Sequence, residues 1–153
     1  MRRGLAVALA ILAIDQAVKA WVVAFFAARG SDMLTVLPVF NLVMAWNRGV
    51  SFGLFSGAGG TLVFAALAAV IVAALVWWLS RTRQRGLQAA IGLVIGGAVG
   101  NIVDRLARGA VVDFLDFHLG RLHWFAFNVA DTAICLGVFL IALDGLLGEG
   151  RRN

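Results

Sequence analysis

Four long apolar runs limit what this chain can fold into. Each is about 20 residues long, enough for a helix to cross a hydrocarbon core about 30 Å thick. The runs are Leu5 to Phe26, Thr61 to Leu79, Leu87 to Leu106 and Phe127 to Leu147. Only 14% of the residues are charged, whereas soluble domains carry about 25%. We therefore predict an all-α polytopic membrane protein, with four transmembrane helices in one integral membrane domain over residues 1–153.

Basic residues lie mainly at the ends of these runs. Seven of the 13 lysines and arginines flank them on one side, at positions 2, 3, 81, 83, 85, 151 and 152. Because cytoplasmic segments of membrane proteins carry an excess of Lys and Arg, we expect both termini in the cytoplasm. The net charge of +5 then reflects orientation and not nucleic-acid binding. Met1-Arg2-Arg3 resembles the start of a secretory signal, but Asp15 and Lys19 interrupt the run that follows, so we expect a retained helix.

The segment from Met33 to Phe55 has a different pattern. Pro38 and Asn47-Arg48-Gly49 divide it into pieces too short to span a membrane, and the latter favours a turn. Large apolar residues recur at period two, which favours a strand, at Phe40, Leu42, Met44 and Trp46. Open sheet edges are not tolerated in hydrocarbon. We predict a small extracytoplasmic β-sheet or ribbon at the membrane surface, on the same side as a polar-aromatic connection over Arg108 to Phe125.

Two ionisable residues, Asp15 and Lys19, interrupt the first run. Each such group costs roughly 2.5–3.5 kcal/mol on membrane-insertion scales. They are four residues apart with the acid first, the favourable order for a helical ion pair. The pair either neutralises itself and fixes helix packing or supports a functional site, and both interpretations stay open.

The third run combines small and polar residues. Glycines spaced by four line one face of the predicted helix and permit close helix approach, at Gly92, Gly96 and Gly100. Asp104 continues this row, whereas Asn101 and Arg105 share a face with Gly97. The neighbours Asp104 and Arg105 are either an interfacial charge pair or part of a site.

Carboxylates follow in apolar company. Asp113 lies between Val112 and Phe114, so partial desolvation should raise its pKa. Asp131 lies one helical turn after Asn128 at the start of the fourth run. Two close carboxylates can share one proton, so that one acid activates water and the other donates to a scissile carbonyl. The alternatives are solvated loop acids and, for Asp131, an acid favoured by the helix dipole.

Other chemistries have weak support. His118 and His123 lack the His-Glu-x-x-His spacing of zinc peptidases, and the glycines of the third run precede no Lys-Ser/Thr pair. Ser51 and Ser56 have no histidine at a similar depth. Cys135 is the single cysteine, which excludes an intramolecular disulfide. We expect no metal and no cofactor.

Five ordered blocks that cover nearly the whole chain resemble one family, the bacterial lipoprotein signal peptidases (signal peptidase II). The blocks are Asp15-x-x-x-Lys19, Trp46-Asn47-x-Gly49-x-Ser51-Phe52-Gly53, Gly96-Gly97-Ala98-x-Gly100-Asn101-x-x-Asp104-Arg105, Val112-Asp113-Phe114 and Phe127-Asn128-x-Ala130-Asp131-Thr132-Ala133-Ile134.

The resemblance implies an aspartic endopeptidase of the bacterial inner membrane. Such an enzyme removes the signal peptide from diacylglyceryl-modified prolipoproteins just before the lipidated cysteine. By motif position the resemblance implies that Asp113 and Asp131 are catalytic, and it selects Asp113 over the nearby Asp116. It assigns supporting or substrate-binding roles to Asn47, Asn101, Arg105, Asn128, Asp15 and Lys19, to which we add Asp104. We expect a monomer in contact with membrane lipids, with its active site near the periplasmic face.

Two other classes of protein compete with this interpretation. A proton-coupled transporter could use Asp15, Lys19, Asp113 and Asp131 as a relay. Only four spans are available, no inverted repeat is visible, and the polar residues cluster on one side. A non-catalytic assembly factor held by the glycine face would leave the five polar blocks unexplained.

Overall fold

Four long helices form the body of the protein. The computed structural model describes residues 1–49 and 58–149, and within them lie α1 (Arg2–Arg29), α2 (Ala58–Arg81), α3 (Arg85–Arg108) and α4 (Val129–Glu149). All four are long and apolar enough to cross a membrane, which confirms the predicted membrane fold. Three helices begin before the predicted runs, but α4 begins later than Phe127 because Asn128 serves as its N-terminal cap.

Helix α3 is the central helix of the bundle. Of its most apolar 18-residue stretch, 56% is buried, against 22%, 11% and 17% for α1, α2 and α4. Its glycines explain this position. A Cβ atom added at Gly92 would lie 2.3 Å from the carbonyl oxygen of Gly4 in α1, and one at Gly97 would lie 2.4 Å from that of Ala130 in α4. The predicted glycine face therefore packs on α1, and the neighbouring face packs on α4.

Short strands form one antiparallel sheet, in the order β1 (Met33–Leu37), β2 (Phe40–Asn47), β3 (Val111–Leu119) and β4 (Leu122–His123). The period-two prediction for β2 is confirmed. The polar-aromatic connection predicted over Arg108 to Phe125 itself adds two strands to the sheet, β3 and β4, for which no strand was predicted. The first four residues of β3 are all buried, so no alternation of apolar and polar residues marks the strand. Residues 50–55 of the predicted β segment lie outside the described part of the chain.

The sheet lies over one end of the bundle. Val22 and Phe26, near the end of α1, pack against Val112 and Phe114 of β3. Helix α3 ends at Arg108, and the next residue, Gly109, has a φ of 73° that lets the chain turn directly into β3. A bridge between Leu115 and Phe127 then ties β3 to the start of α4. The ends of three helices and the central strands of the sheet therefore meet in one place.

We predict that Gly92→Ala destabilises the fold. The added methyl group has no room against the backbone of Gly4, and such overpacking typically costs about 1–3 kcal/mol. Gly86→Ala in the same helix is the matched control, since nothing lies within 4 Å of the added atom. Thermal unfolding in detergent should show a melting temperature below that of the wild type for Gly92→Ala and an unchanged one for Gly86→Ala. Equal melting temperatures for both variants would refute close packing at Gly92.

Candidate active site

Asp113 lies in β3 opposite Ala45 of β2, and only 2% of its surface is exposed. Both of its carboxylate oxygens accept hydrogen bonds from amide side chains. Nδ2 of Asn128 donates to Oδ1 over 2.7 Å, and Nδ2 of Asn47 donates to Oδ2 over 3.0 Å. The carboxylate is thus buried, oriented from two sides, and paired with neutral donors.

Asp131 lies in the first turn of α4 and forms hydrogen bonds with two asparagines, Asn128 and Asn101. Its backbone N–H donates to Oδ1 of Asn128 over 2.9 Å, and the N–H of Asn128 donates back to Oδ2 of Asp131 over 3.3 Å. This reciprocal pair is a capping box, so Asp131 is the N-terminal helix acid that one interpretation of the sequence described. Its Oδ1 also accepts a bond of 2.8 Å from Nδ2 of Asn101 in α3. The same carboxylate therefore caps α4 and faces the polar cluster of α3.

Asn128 joins the two acids. It is fully buried, and its Nδ2 donates to Asp113 while its Oδ1 accepts from the N–H of Asp131. Its Nδ2 also lies 3.4 Å from Oδ1 of Asn101. The structure thus brings together four residues that the motifs selected, from β3, α3 and the start of α4.

A buried group of charges lies next to these amides. Nζ of Lys19 contacts Oδ2 of Asp15 at 2.9 Å and Oδ2 of Asp104 at 2.8 Å, and all three side chains have no exposed surface. Nζ also donates to Oδ1 of Asn101 over 3.0 Å. Asp15 and Lys19 are therefore both an ion pair and direct neighbours of the site. Asp104 also pairs with Arg108, one turn further along α3.

Arg105 and Gln16 complete the surroundings. Nη1 of Arg105 lies 3.4 Å from the carbonyl oxygen of Asn101, and its charge acts on both Asp131 and Asp113. Sequence reasoning missed Gln16, whose Nε2 lies within hydrogen-bond distance of three acceptors: Oδ2 of Asp15, the carbonyl oxygen of Gly100 and Oδ1 of Asp104. An amide inside an otherwise apolar run was the signal that could have identified it.

Asp116, the other acid of β3, belongs to a separate cluster. Because it is three residues from Asp113 in the strand, its side chain points to the opposite face of the sheet. It accepts hydrogen bonds from Nδ2 of Asn41 over 2.9 Å and from Nδ1 of His123 over 3.0 Å, and the His123 ring stacks on that of His118. Across residues 1–49 and 58–149, no three His, Cys, Asp or Glu side chains are grouped as metal ligands would be.

The two acids of β3 titrate differently. Burial raises the pKa of Asp113 to about 6, and the charge of Asp131 adds to this effect, although hydrogen bonds from Asn47 and Asn128 oppose it. Burial also raises the pKa of Asp116, but the hydrogen bonds from Asn41 and His123 outweigh it and hold that pKa below its usual value. The sequence-based expectation of a raised pKa at Asp113 is confirmed.

Two clefts border the acids. Asp113 opens onto a cavity of about 380 Å³ whose wall includes the chain from Ala45 to Gly49. Asp131 borders a second cavity of about 420 Å³, lined mainly by apolar side chains, namely Trp124, Phe127, Cys135 and Leu136, together with Thr132. The site therefore has a more polar cleft beside the sheet and an apolar cleft along α4. Ser51-Phe52-Gly53 of the second motif block, and Ser56, lie outside the described residues.

The fold and the site define a class: an integral membrane protein with a buried carboxylate–amide site at one end of its helical bundle. Comparison with known proteins then specifies the family. Residues 7–147 match the family model of signal peptidase (SPase) II. The chain therefore belongs to the signal peptidase II family, which makes it a peptidase.

Individual relatives agree with this assignment. The chain is 42% identical to the lipoprotein signal peptidase of Rhodopseudomonas palustris (strain TIE-1), with 97% of this chain and 94% of that protein covered. It is 46% identical to that of Methylorubrum extorquens (strain PA1), with 95% and 86% covered. A bacterial membrane enzyme solved at 2.3 Å resolution superimposes with a TM-score of 0.81 at 28% identity, covering 100% of this chain and 93% of that one. A second bacterial membrane enzyme, solved at 1.9 Å, gives 0.79 at 30% identity, with 95% and 94% covered.

We predict opposite pH effects on stability for the two acids of β3. The folded-state pKa of Asp113 is raised, so its ionisation opposes folding, and this cost grows as the pH rises from the ordinary value of 3.8 to about 6. Relative to Asp113→Asn, the wild type should lose on the order of 1–3 kcal/mol of unfolding free energy between about pH 4 and about pH 7.5. The pKa of Asp116 is lowered, so its contribution is present above its unfolded-state pKa and is lost in acid.

Equilibrium unfolding in mixed micelles across this pH range measures both effects. Asp116→Asn is the matched control in the same strand. It should weaken the fold near neutral pH and have no effect in acid below the folded-state pKa of Asp116. A difference between wild type and Asp113→Asn that does not change with pH would contradict the buried state of Asp113.

Proposed function

We propose that this chain removes the signal peptide from diacylglyceryl-modified prolipoproteins and cleaves just before the lipidated cysteine. Membership of the signal peptidase II family supports this activity, and the relatives described above are named lipoprotein signal peptidases. We further propose that Asp113 and Asp131 form the catalytic pair. The observation that carries this assignment is the contact of one buried residue, Asn128, with both acids. Its side-chain amide donates to the carboxylate of Asp113, and its backbone N–H donates to the carboxylate of Asp131.

The proposed chemistry is that of an aspartic peptidase. The pair holds one proton, because two close anions are costly in a medium of low dielectric. The ionised acid takes a proton from water, and the oxygen of that water attacks the scissile carbonyl carbon. The neutral acid meanwhile donates its proton to the carbonyl oxygen. The C–N bond then breaks as the nitrogen receives a proton from one acid, while the other acid regains a proton from the diol intermediate. The raised pKa of Asp113 supports this scheme, because it keeps a proton on the pair closer to neutral pH.

The surroundings suit a substrate that is part peptide and part lipid. The cleft beside the sheet meets Asp113 and offers backbone and polar groups from Trp46 to Gly49 to an extended peptide. The apolar cleft along α4 meets Asp131 and can receive acyl chains that arrive by diffusion in the membrane. Arg105 and Asn101 carry donors next to the acids, where charge develops on the carbonyl oxygen.

A transporter is less well supported by the contacts. The polar network involves the second half of α1, the end of α3 and the start of α4. At the other end of the bundle the packing is apolar, with Ala8, Leu79, Ile91 and Ile95 in one cluster. A proton relay across the membrane needs polar groups along its whole depth.

We also propose that the chain lies in the bacterial inner membrane, with both termini cytoplasmic and the site at the periplasmic face. Gly4 of α1 lies against Leu79 and Gln88, so the start of α1, the end of α2 and the start of α3 meet at one end. This end carries arginines 2, 3, 81, 83 and 85. The sheet and the two acids lie at the opposite end.

Cysteine labelling tests this orientation. In a Cys135→Ser background, Arg83→Cys between α2 and α3 should resist a membrane-impermeant thiol reagent in whole cells. Arg121→Cys, at the turn between β3 and β4, is the control and should react readily. Labelling of Arg83→Cys but not Arg121→Cys would invert the proposed topology.

We predict that Asp113→Asn and Asp131→Asn each reduce cleavage roughly a thousandfold or more, because neither amide can accept a proton from water. The pair acts as a unit, so the double variant should be scarcely worse than either single variant. Cleavage of a diacylated prolipoprotein by purified variants of confirmed helical content is the measurement.

Asp116→Asn is the matched control for these variants. It removes an acid of the same strand that faces the other cluster, and its activity should fall only modestly. An inactive Asp116→Asn beside an active Asp113→Asn would show that the wrong acid of β3 has been chosen. Normal cleavage by all three single variants would refute the aspartic mechanism.

A further inference from the structure

Lys19 is the most completely enclosed cation in the described part of the chain. Its side chain has no exposed surface, although it lies in a membrane-spanning helix. An ammonium group has three N–H donors, and the structure offers it three acceptors: Asp15 at 2.9 Å, Asp104 at 2.8 Å and Asn101 at 3.0 Å. Every donor of this group therefore has a partner.

The two carboxylates that Lys19 holds have a second property in common. Oδ1 of Asp15 accepts a hydrogen bond of 2.9 Å from the backbone N–H of Ala130. Oδ2 of Asp104 accepts one of 3.2 Å from the backbone N–H of Val112. Ala130 and Val112 are the residues directly before Asp131 and Asp113. Each carboxylate thus fixes the backbone next to one of the two site acids.

The third contact of Lys19 reaches Asp131 through a side chain. Oδ1 of Asn101 accepts from Nζ of Lys19, and Nδ2 of the same amide donates to Oδ1 of Asp131. An ammonium group can only donate, so it requires the oxygen of the amide to face it. Lys19 therefore determines which end of Asn101 faces Asp131.

We propose that Lys19 is a positioning residue for the pair Asp113 and Asp131, acting through Asp15, Asp104 and Asn101. The inference rests on the proposed function, since it assigns a role within the same site. Without this cation, Asp15 would lose its ionic partner and Asp104 would keep Arg108, with no positive charge between the two carboxylates to offset their repulsion. Their bonds to the two backbone N–H groups would then be lost or displaced.

A purely stabilising role explains less of this geometry. Replacing a buried ion pair by apolar groups is often neutral or favourable for stability. A packing role between α1 and α3 would need only one of the carboxylates. Here all three contacts of one ammonium lead to the site acids or to the residues directly before them. The charge of Lys19 also lowers the pKa of Asp113, which favours its ionised form.

The test separates positioning from folding. Lys19→Met alone takes the cation from Asp15 and leaves Asp104 with Arg108, so it should fold poorly. Lys19→Met with Asp15→Asn removes one charge of each sign and should recover the folded fraction. We expect kcat of the folded double variant to fall at least about tenfold, with little change in KM. The acid limb of its pH–rate profile should move to higher pH, because the ionised form of Asp113 has lost a stabilising charge.

Gly92→Ala is the control for instability alone. It disturbs the contact between α1 and α3 near Gly4 and touches none of the polar network. Its melting temperature should fall, while kcat per folded molecule and the pH–rate profile stay as in the wild type. A double variant with wild-type kcat and a wild-type pH–rate profile would overturn the proposal for Lys19.

Hydrogen exchange provides a readout that does not depend on activity. The backbone amides of Val112 and Ala130 should exchange faster in the double variant than in the wild type or in Gly92→Ala. Unchanged exchange at both amides would also overturn the proposal. A wild-type protein that cleaves no prolipoprotein, or an active Asp113→Asn, would instead refute the proposed function, and the exchange result would still decide whether Lys19 positions the two segments.

Discussion

The close approach of α1 and α4 to the backbone of α3 is the contact on which the rest of the structure depends. Glycines on two faces of α3 allow it, and the same approach lets short polar side chains meet across helices. At Gly100 an added Cβ atom would lie 2.6 Å from Oδ2 of Asp15, so this position leaves space for a carboxylate instead of another backbone. Packing and chemistry of the contact between α1 and α3 therefore follow from one pattern. Gly92 and Gly96 bring the two helices together near the cytoplasmic end that we propose, and the polar network takes their place near the sheet.

Amide side chains solve an electrostatic difficulty of this site. Two carboxylates near each other in an apolar environment repel, and a cation between them would suppress the shared proton that the proposed mechanism needs. Asn128 and Asn101 orient Asp113 and Asp131 with neutral donors. The buried ammonium group of Lys19 stays one step away, where it meets Asp15 and Asp104. The buried side chains of Asp15, Lys19, Asn101, Asp104 and Asn128 all have hydrogen-bond partners, which makes the cluster tolerable in a membrane-spanning bundle.

The sheet gives two chemically identical residues different environments. Asp113 and Asp116 lie in the same strand, but strand alternation directs them to opposite faces. Asp113 faces the helices, where burial raises its pKa. Asp116 faces Asn41 and His123, whose hydrogen bonds lower its pKa. The sheet is thus more than a cover for the bundle, since it determines which acid of β3 can take part in the proposed proton transfer.

The sequence by itself determined the four spans, the strand at Phe40–Asn47 and the glycine face of α3, because each depends on a local period or on the length of an apolar run. The motif resemblance also selected Asp113 and Asp131, although no spacing places residues of two segments beside each other. Strand β3 was not predicted, because burial on both of its faces hides the alternation, and β4 is only two residues long, too short to show a period. Only the tertiary structure decided that Gln16 joins the buried network and that Asn128 contacts both site acids. It alone also decided that Asp15 and Asp104 accept hydrogen bonds from the backbone N–H groups of Ala130 and Val112, the residues directly before those two acids. These contacts join residues far apart in the chain, and their distances depend on how closely the glycine faces of α3 let the neighbouring backbones approach.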